Sequence, residues 1–112
     1  MTRAEVEFLA LALPAATKVV QWGGSDVYKI GGKVFAICGL SQALSFKVTE
    51  IGFMVLTDAG GPGRQAPYLA KGGWVAVDLD AAEPEEAAGW IATSHELVAA
   101  KLTRKLRAEL GL

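Results

Sequence analysis

The chain has 112 residues, a length that fits one domain able to bury roughly two-thirds of the surface that its unfolded form exposes. Hydrophobic residues make up 52% and charged residues 21% of the sequence, which is the composition of a globular protein and excludes a disordered or low-complexity chain. Eleven Lys and Arg residues against twelve Asp and Glu residues give a net charge of −1, so any attraction for nucleic acid has to come from a local basic patch.

Cysteine content and the N-terminal segment indicate the compartment. Cys38 is the single cysteine and cannot form an internal disulfide, which favours a reducing environment. The apolar run at residues 8–13 is too short to span a bilayer, and Glu5 and Glu7 do not suit the basic start of a signal peptide. We therefore expect a cytoplasmic protein with no membrane partner.

The first elements are a helix and a strand. Thr2 followed three residues later by Glu5 is typical of a capping box, and apolar residues at helical spacing continue to about Leu13. Pro14 ends this helix because it disfavours the helical conformation in the residue before it. β-Branched residues then predict a first strand over residues 17–22.

The next element is a hairpin whose two strands flank Gly31 and Gly32, residues that tolerate the positive φ angles of a two-residue turn. This turn predicts three facing pairs: Ile30 with Lys33, Tyr28 with Phe35, and Asp26 with Ile37. One face of the hairpin then collects the apolar residues expected to face the core: Tyr28, Ile30, Phe35 and Ile37.

A strand and a helix follow. Alternation over residues 44–48 predicts a half-buried strand with Leu44, Phe46 and Val48 on one side. Thr49 is expected to cap a second helix that runs to about Asp58, and Gly60–Arg64 are expected to form an exposed loop. The buried stripe predicted for this helix is Ile51, Met54 and Val55.

The last third contains one strand and two helices. Residues 74–79 predict a strand, and Pro84 suits the first turn of a long helix. Thr103 is expected to restart a short helix over Arg104–Leu110. The inward face predicted for the long helix consists of Ala87, Trp90, Ile91, Ser94, Val98 and Leu102.

Together these elements predict an α+β fold. We expect a single two-layer domain over residues 1–112, with an antiparallel sheet of about four to five strands and helices packed on one face. The order along the chain is α-β-β-β-β-α-β-α, followed by the short helix.

One set of motifs runs through nearly the whole chain: Leu13-Pro14, the Gly31-Gly32 hairpin, Leu44-Ser45-Phe46-Lys47, Tyr68, Lys71, Trp74, Asp78, His95-Glu96-Leu97-Val98 and Lys101-Leu102. In this order and spacing the motifs resemble the MmcQ/YjbR family of small bacterial proteins. The resemblance implies a secretion chaperone-like fold with loops that project as two wings, and a role in DNA binding. Many members carry a basic and then a polar residue just before the wing Trp, where this chain has Gly72 and Gly73.

The candidate nucleic-acid-binding residues are basic side chains on strands and turns, together with one aromatic residue: Lys29, Lys33, Lys47, Arg64, Lys71 and Trp74. Such a patch would hold phosphates weakly and without reading bases, and the alternative is an ordinary solvated surface. Trp74 would stack on a base or, alternatively, pack on the sheet as a large core residue. A second basic cluster (Lys101, Arg104, Lys105 and Arg107) suits the negative end of a helix.

The sequence contains no motif that indicates a catalytic or metal-binding site. His95 is the only histidine, and since no motif places a nucleophile beside it, we expect a satisfied, partly buried side chain and a non-enzymatic protein. Asp78 and Asp80 offer two ligands for a cation such as magnesium, which are too few for a site, and helix capping by Asp80 is the better interpretation. We therefore expect no catalytic residues, no metal and no cofactor.

The partner remains open between two classes. DNA, bound weakly and without sequence preference, is the first expectation. The alternative is a protein partner or a homodimer, bound by a protein-interaction or chaperone-like module, and the 52% hydrophobic content favours it.

Overall fold

The computed structural model of the protein describes residues 1–66 and 73–112. In these ranges the helices are α1 (Arg3–Leu11), α2 (Glu50–Thr57), α3 (Pro84–Ala99) and α4 (Arg104–Glu109). The strands are β1 (Thr17–Gln21), β2 (Ser25–Ile30), β3 (Lys33–Cys38), β4 (Ala43–Lys47), β5 (Gly63–Gln65) and β6 (Trp74–Asp78), and a 3-10 turn covers Leu79–Ala81. In this part of the chain, no helix has the length and apolar character needed to cross a bilayer.

All six strands form one antiparallel sheet with the order β1-β2-β3-β4-β6-β5. Helices α1 and α3 pack on one face of this sheet, mainly against its central strands. The predicted α+β fold is therefore confirmed. The sheet has one strand more than expected, because β5 forms where Gly60–Arg64 were predicted as a loop; a β-carbon on Gly63 would lie 2.6 Å from Val75 Cγ1, so glycine permits this close pairing.

Helix ends follow the local sequence in most cases. Thr2 and Glu5 form the predicted capping box, and the hydroxyls of Thr49 and Thr103 cap α2 and α4. Pro84 occupies the first turn of α3, as predicted. The capping role expected of Asp80 is wrong, because Asp80 belongs to the 3-10 turn and α3 begins only after Glu83.

The β2–β3 hairpin turns at Gly31 and Gly32, whose φ angles are +58° and +81°. Ile30 faces Lys33 as predicted, but a β-bulge follows, so that Tyr28 faces Ala36 and Asp26 faces Cys38. The predicted pairs of Tyr28 with Phe35 and Asp26 with Ile37 are therefore wrong. The extra residue at Phe35 moves the rest of β3 by one position.

The bulge decides which side chains enter the core. Tyr28, Ile30 and Phe35 are fully buried, as predicted, and Cys38 joins them. Ile37 was predicted on this core face; it is only half-buried and lies on the opposite face of the sheet, in register with Ser45 of β4. We call that side of the sheet, opposite α1 and α3, the open face.

The buried face of helix α2 differs from the predicted one. Ile51, Met54 and Val55, expected as its buried stripe, are 75%, 69% and 66% exposed. Phe53 and Leu56 pack against the core instead. Because nearly all residues of this helix are apolar, its composition did not define one inward face.

Candidate nucleic-acid interface

Lys47 lies at the end of β4, opposite Trp74 at the start of β6. Its backbone N–H donates a hydrogen bond to the hydroxyl of Ser94 on α3, at 2.8 Å, and the same hydroxyl donates to the carbonyl of Phe35. The bulge at Phe35 lies in the β2–β3 pairing, and the β3–β4 register ends at the Ala36–Phe46 pair. Ser94 connects the two strands one residue beyond that pair. The end of β4 is thereby tied to α3.

The C-terminal end of α3 lies beside the β2–β3 hairpin. A β-carbon on Gly31 would lie 2.7 Å from Leu102 Cδ1 and 3.2 Å from Leu106 Cδ2, so the turn and the α3–α4 junction are in tight contact. Lys33 starts β3 immediately after this turn, and Lys101 immediately precedes Leu102. The contact between Gly31 and Leu102 therefore brings Lys33 and Lys101 to the same end of the sheet, although 68 positions separate them in the sequence.

The pKa of the Lys47 ammonium is affected by its surroundings at this end of the sheet. Partial burial lowers the pKa of the Lys47 ammonium below its usual value, and the neighbouring ammonium groups of Lys101 and Lys33 lower it further. Each cause disfavours the charged form. Lys33, Lys47 and Lys101 thus form one basic group at the hairpin end of the sheet, which we call the lysine cluster.

Lys29 lies close to this cluster along the chain. It faces Val34 on β3, one position before the Ile30–Lys33 pair, and is half-buried. Among the described residues, the ion pairs involve other cations: Arg3 with Asp26, Lys18 with Glu7 and Asp26, and Arg64 with Asp78. The cluster and Lys29 are therefore not neutralised by carboxylates within these ranges.

Trp74 is the first residue of β6, and Lys71 precedes it in the sequence. Trp74 is half-buried, and its backbone lies opposite that of Lys47 in the β4–β6 register. Ala66 and Trp74, joined by a backbone hydrogen bond, mark the two ends of the connection between β5 and β6 at this edge. Lys71, the remaining candidate of the wing loop, lies outside the described residues.

Arg64 stands apart from the lysine cluster. It faces Ala76 on β6, and its guanidinium binds the carboxylate of Asp78 at 2.9 Å. Asp78 and Trp74 are opposite ends of the same strand. Of the predicted basic residues, the fold therefore brings together Lys33 and Lys47. Lys29 alternates with the buried Tyr28 and Ile30 and lies on the other face of β2, and Arg64 lies toward the other end of the sheet.

The remaining reactive groups are held in structural contacts. His95 is 7% exposed, its Nε2 lies 2.8 Å from the carbonyl of Pro14, and its ring packs edge-on against Phe35. This is the satisfied histidine that was predicted. Burial raises the pKa of the Cys38 thiol, which suits an apolar filler. Within the described ranges, no three His, Cys, Asp or Glu side chains gather as metal ligands.

A family model described as YjbR matches residues 11–97. The chain belongs to the YjbR family. The crystal structure of the Deinococcus radiodurans protein DR2400, a DUF419 domain, resembles this YjbR protein with a TM-score of 0.88 and 26% identity, over 99% of this chain and 88% of that chain. No curated protein matches it. The resemblance seen in the sequence motifs is confirmed, and these similarities name no ligand.

Two features of this YjbR protein were missed in the sequence. Lys101 was assigned to a separate C-terminal cluster, and only the packing of Leu102 on Gly31 places it beside Lys47. Trp22, which no sequence pattern singled out, is 63% exposed at the β1–β2 turn with φ of +51°. A positive φ in an aromatic residue is unusual, and the flanking Gly23-Gly24 pair was the available signal of this irregular turn.

Proposed function

We propose that the lysine cluster of this YjbR protein binds the phosphate backbone of DNA, weakly and without reading its bases. The observation that carries the proposal is the contact of the Gly31 turn with Leu102, which brings Lys33 and Lys101 to the end of the sheet where Lys47 lies. Partial burial, and then the ammonium groups of Lys101 and Lys33, lower the pKa of Lys47. Gathering like charges is unfavourable in the free protein, and a bound anion would offset that cost. Phosphate groups along a nucleic-acid backbone supply such anions at regular spacing.

The surroundings of the cluster favour a polymer over a single small anion. The lysines come from three different elements: β3, β4 and the segment just after α3. Trp74 borders Lys47 and offers an aromatic face at which an unstacked base would pack. Because the whole chain carries a net charge of −1, this local surface would be the source of any attraction.

Salt dependence of binding tests the proposal. Fluorescence anisotropy of a labelled duplex should give a log-log slope of about −0.9 per neutralised phosphate, hence roughly −2.7 for three lysines. Lys33→Gln, Lys47→Gln and Lys101→Gln should each weaken binding and make the slope less steep by about one.

Arg64→Gln is the matched control, since it removes the same charge from an exposed strand position outside the cluster. It should leave the slope unchanged. Binding that is absent even at low salt would sink the proposal, and so would an Arg64→Gln effect as large as that of Lys47→Gln.

A second candidate function is self-association as a protein-interaction module, and one observation favours it. Ile51, Met54 and Val55 have the i, i+3, i+4 spacing of one helix face, and all three are exposed on α2. Light scattering coupled to gel filtration should then report twice the 11.7 kDa chain mass, reduced to one chain in Met54→Gln. Phe8→Gln, which replaces an equally exposed residue of α1, is the control and should remain a dimer. A monomeric wild-type protein would rule out this candidate.

A further inference from the structure

The open face of the sheet contains a groove at the end away from the lysine cluster. Its volume is about 510 Å³, within the range of roughly 300–1,000 Å³ that small-molecule sites occupy. The floor of the groove is formed by Ile37, Ser45 and Ala76, which are in register on the adjacent strands β3, β4 and β6. Gly39 and Ala43 continue the floor along β3 and β4, and these small side chains leave the space open.

Larger side chains form the rim of this groove. Trp22 and Leu40 are 63% and 62% exposed and line it from the β1–β2 and β3–β4 turns. Arg64 lines it from β5 and is its one charged side chain among the described residues. Ile37 and Arg64 are three strands apart in register, which corresponds to about 14 Å at about 4.8 Å per strand.

Hydroxyl groups converge at one point of the floor. A β-carbon on Gly39 would lie 3.8 Å from the Ser41 hydroxyl and 3.9 Å from the Ser25 hydroxyl, so both oxygens flank the same glycine. Hydroxyls can donate to or accept from a ligand. An apolar cavity with a few convergent polar groups is the usual composition of a small-molecule site.

Arg64 is available to a ligand at low cost. Its present partner Asp78 is more than half exposed, and exposed ion pairs contribute little to stability. A guanidinium pairs with a carboxylate through two parallel hydrogen bonds, so an anionic ligand can replace Asp78. A single cation beside an apolar floor suits a ligand with one negative charge rather than a phosphate dianion.

We propose that the open-face groove binds a small planar aromatic carboxylate, with its ring on the Ile37–Ser45–Ala76 floor beside Trp22 and its carboxylate on Arg64. A floor made of sheet strands favours a planar ring. The distance of about 14 Å between Ile37 and Arg64 accommodates a bicyclic ring with its carboxylate. This ligand class is independent of the phosphate binding proposed for the lysine cluster, because the two surfaces share no side chain.

Two probes of equal shape test the site: 2-naphthoate, and 2-naphthamide, which lacks the charge. In titrations followed by amide NMR shifts, 2-naphthoate should bind with a dissociation constant of about 0.1–1 mM, as expected for a ligand of this size. It should shift residues 37–45 and 74–78, and it should bind several-fold more tightly than 2-naphthamide.

Variants of exposed residues give opposite expected changes. Arg64→Gln should bring 2-naphthoate down to the affinity of 2-naphthamide, whereas Asp78→Asn should raise its affinity because the competing carboxylate is removed. Trp22→Ala should weaken both probes, and Lys47→Gln should weaken neither. Equal affinity of the two probes, shifts confined to other residues, or no saturable shift up to about 10 mM 2-naphthoate would overturn the proposal.

Discussion

The hydroxyl of Ser94 on α3 accepts a hydrogen bond from the backbone N–H of Lys47 on β4, with 2.8 Å between the two atoms. Ser94 is fully buried, and its hydroxyl also donates to the carbonyl of Phe35. One side chain thus satisfies two backbone groups that lie just beyond the last β3–β4 pair, Ala36 with Phe46. Ser94 also fixes the position of the Lys47 backbone, and hence of one member of the lysine cluster, relative to α3.

Ser94→Ala should therefore destabilise the fold. The substitution leaves the Lys47 N–H and the Phe35 carbonyl without their partner, and a buried unsatisfied group costs about 1–3 kcal/mol. Urea unfolding measures the change. Thr93→Ala, at the exposed neighbouring position of α3, is the control and should alter the free energy of unfolding by less than about 0.5 kcal/mol. Equal stability of the two variants would contradict the bridging role.

Lys47 should give a pH-dependent contribution to stability. Its pKa is lowered in the folded state by burial, Lys101 and Lys33, so at neutral pH the charged form destabilises the fold. This penalty is present below the folded pKa and is lost as the pH rises to the unfolded value of about 10.4. Solvent screening at this half-buried site keeps it below about 1 kcal/mol.

Comparison with Lys47→Met isolates that contribution from other groups that titrate at high pH. Urea unfolding of both proteins between neutral pH and pH about 10.4 should show a stability difference that shifts in favour of the wild type as the pH rises. The opposite trend would mean that the Lys47 pKa is raised. Addition of DNA should shift the Lys47 amine titration, followed by NMR, back to higher pH if phosphates bind at the cluster.

Local sequence signals predicted most helix ends and the hairpin turn of this fold. The hydroxyls of Thr2, Thr49 and Thr103 bind backbone groups within three residues, and Gly31-Gly32 allows one type of tight turn, so these features need no distant partner. The bulge at Phe35 has no local signal in the sequence, and the carbonyl of Phe35 accepts its hydrogen bond from Ser94, which lies 59 positions away. Contacts of this kind depend on tertiary packing.

The candidate site was predictable only in part for the same reason. Lys33 and Lys47 lie on β3 and β4, neighbouring strands that the sequence pattern predicts. Lys101 lies near them because Leu102 packs on Gly31, a tertiary contact that no local pattern encodes. The open-face groove needs β6 beside β4, an order that skips β5 and brings Ala76 next to Ser45.

Tyr28 should tolerate loss of its hydroxyl. The side chain is fully buried, and its hydroxyl has no hydrogen-bond partner among the described residues. Burial and the nearby Asp26 carboxylate raise the pKa of the phenol, so it stays neutral. Tyr28→Phe removes an unsatisfied polar group and should leave stability unchanged or raise it by up to about 1 kcal/mol. A clear loss in thermal unfolding would show that the hydroxyl has a partner.

Gly31 and Gly32 should differ in their response to the same substitution. Both have positive φ, so alanine is strained at either position by about 1–2 kcal/mol. At Gly31 the new methyl group would also meet Leu102 Cδ1 at 2.7 Å, whereas the space around Gly32 is open. Overpacking adds about 1–3 kcal/mol, so Gly31→Ala should be the more destabilising change in urea unfolding. Because Lys101 precedes Leu102, Gly31→Ala should also weaken DNA binding, and Gly32→Ala should not; equal effects of the two variants would refute the contact between the hairpin and the end of α3.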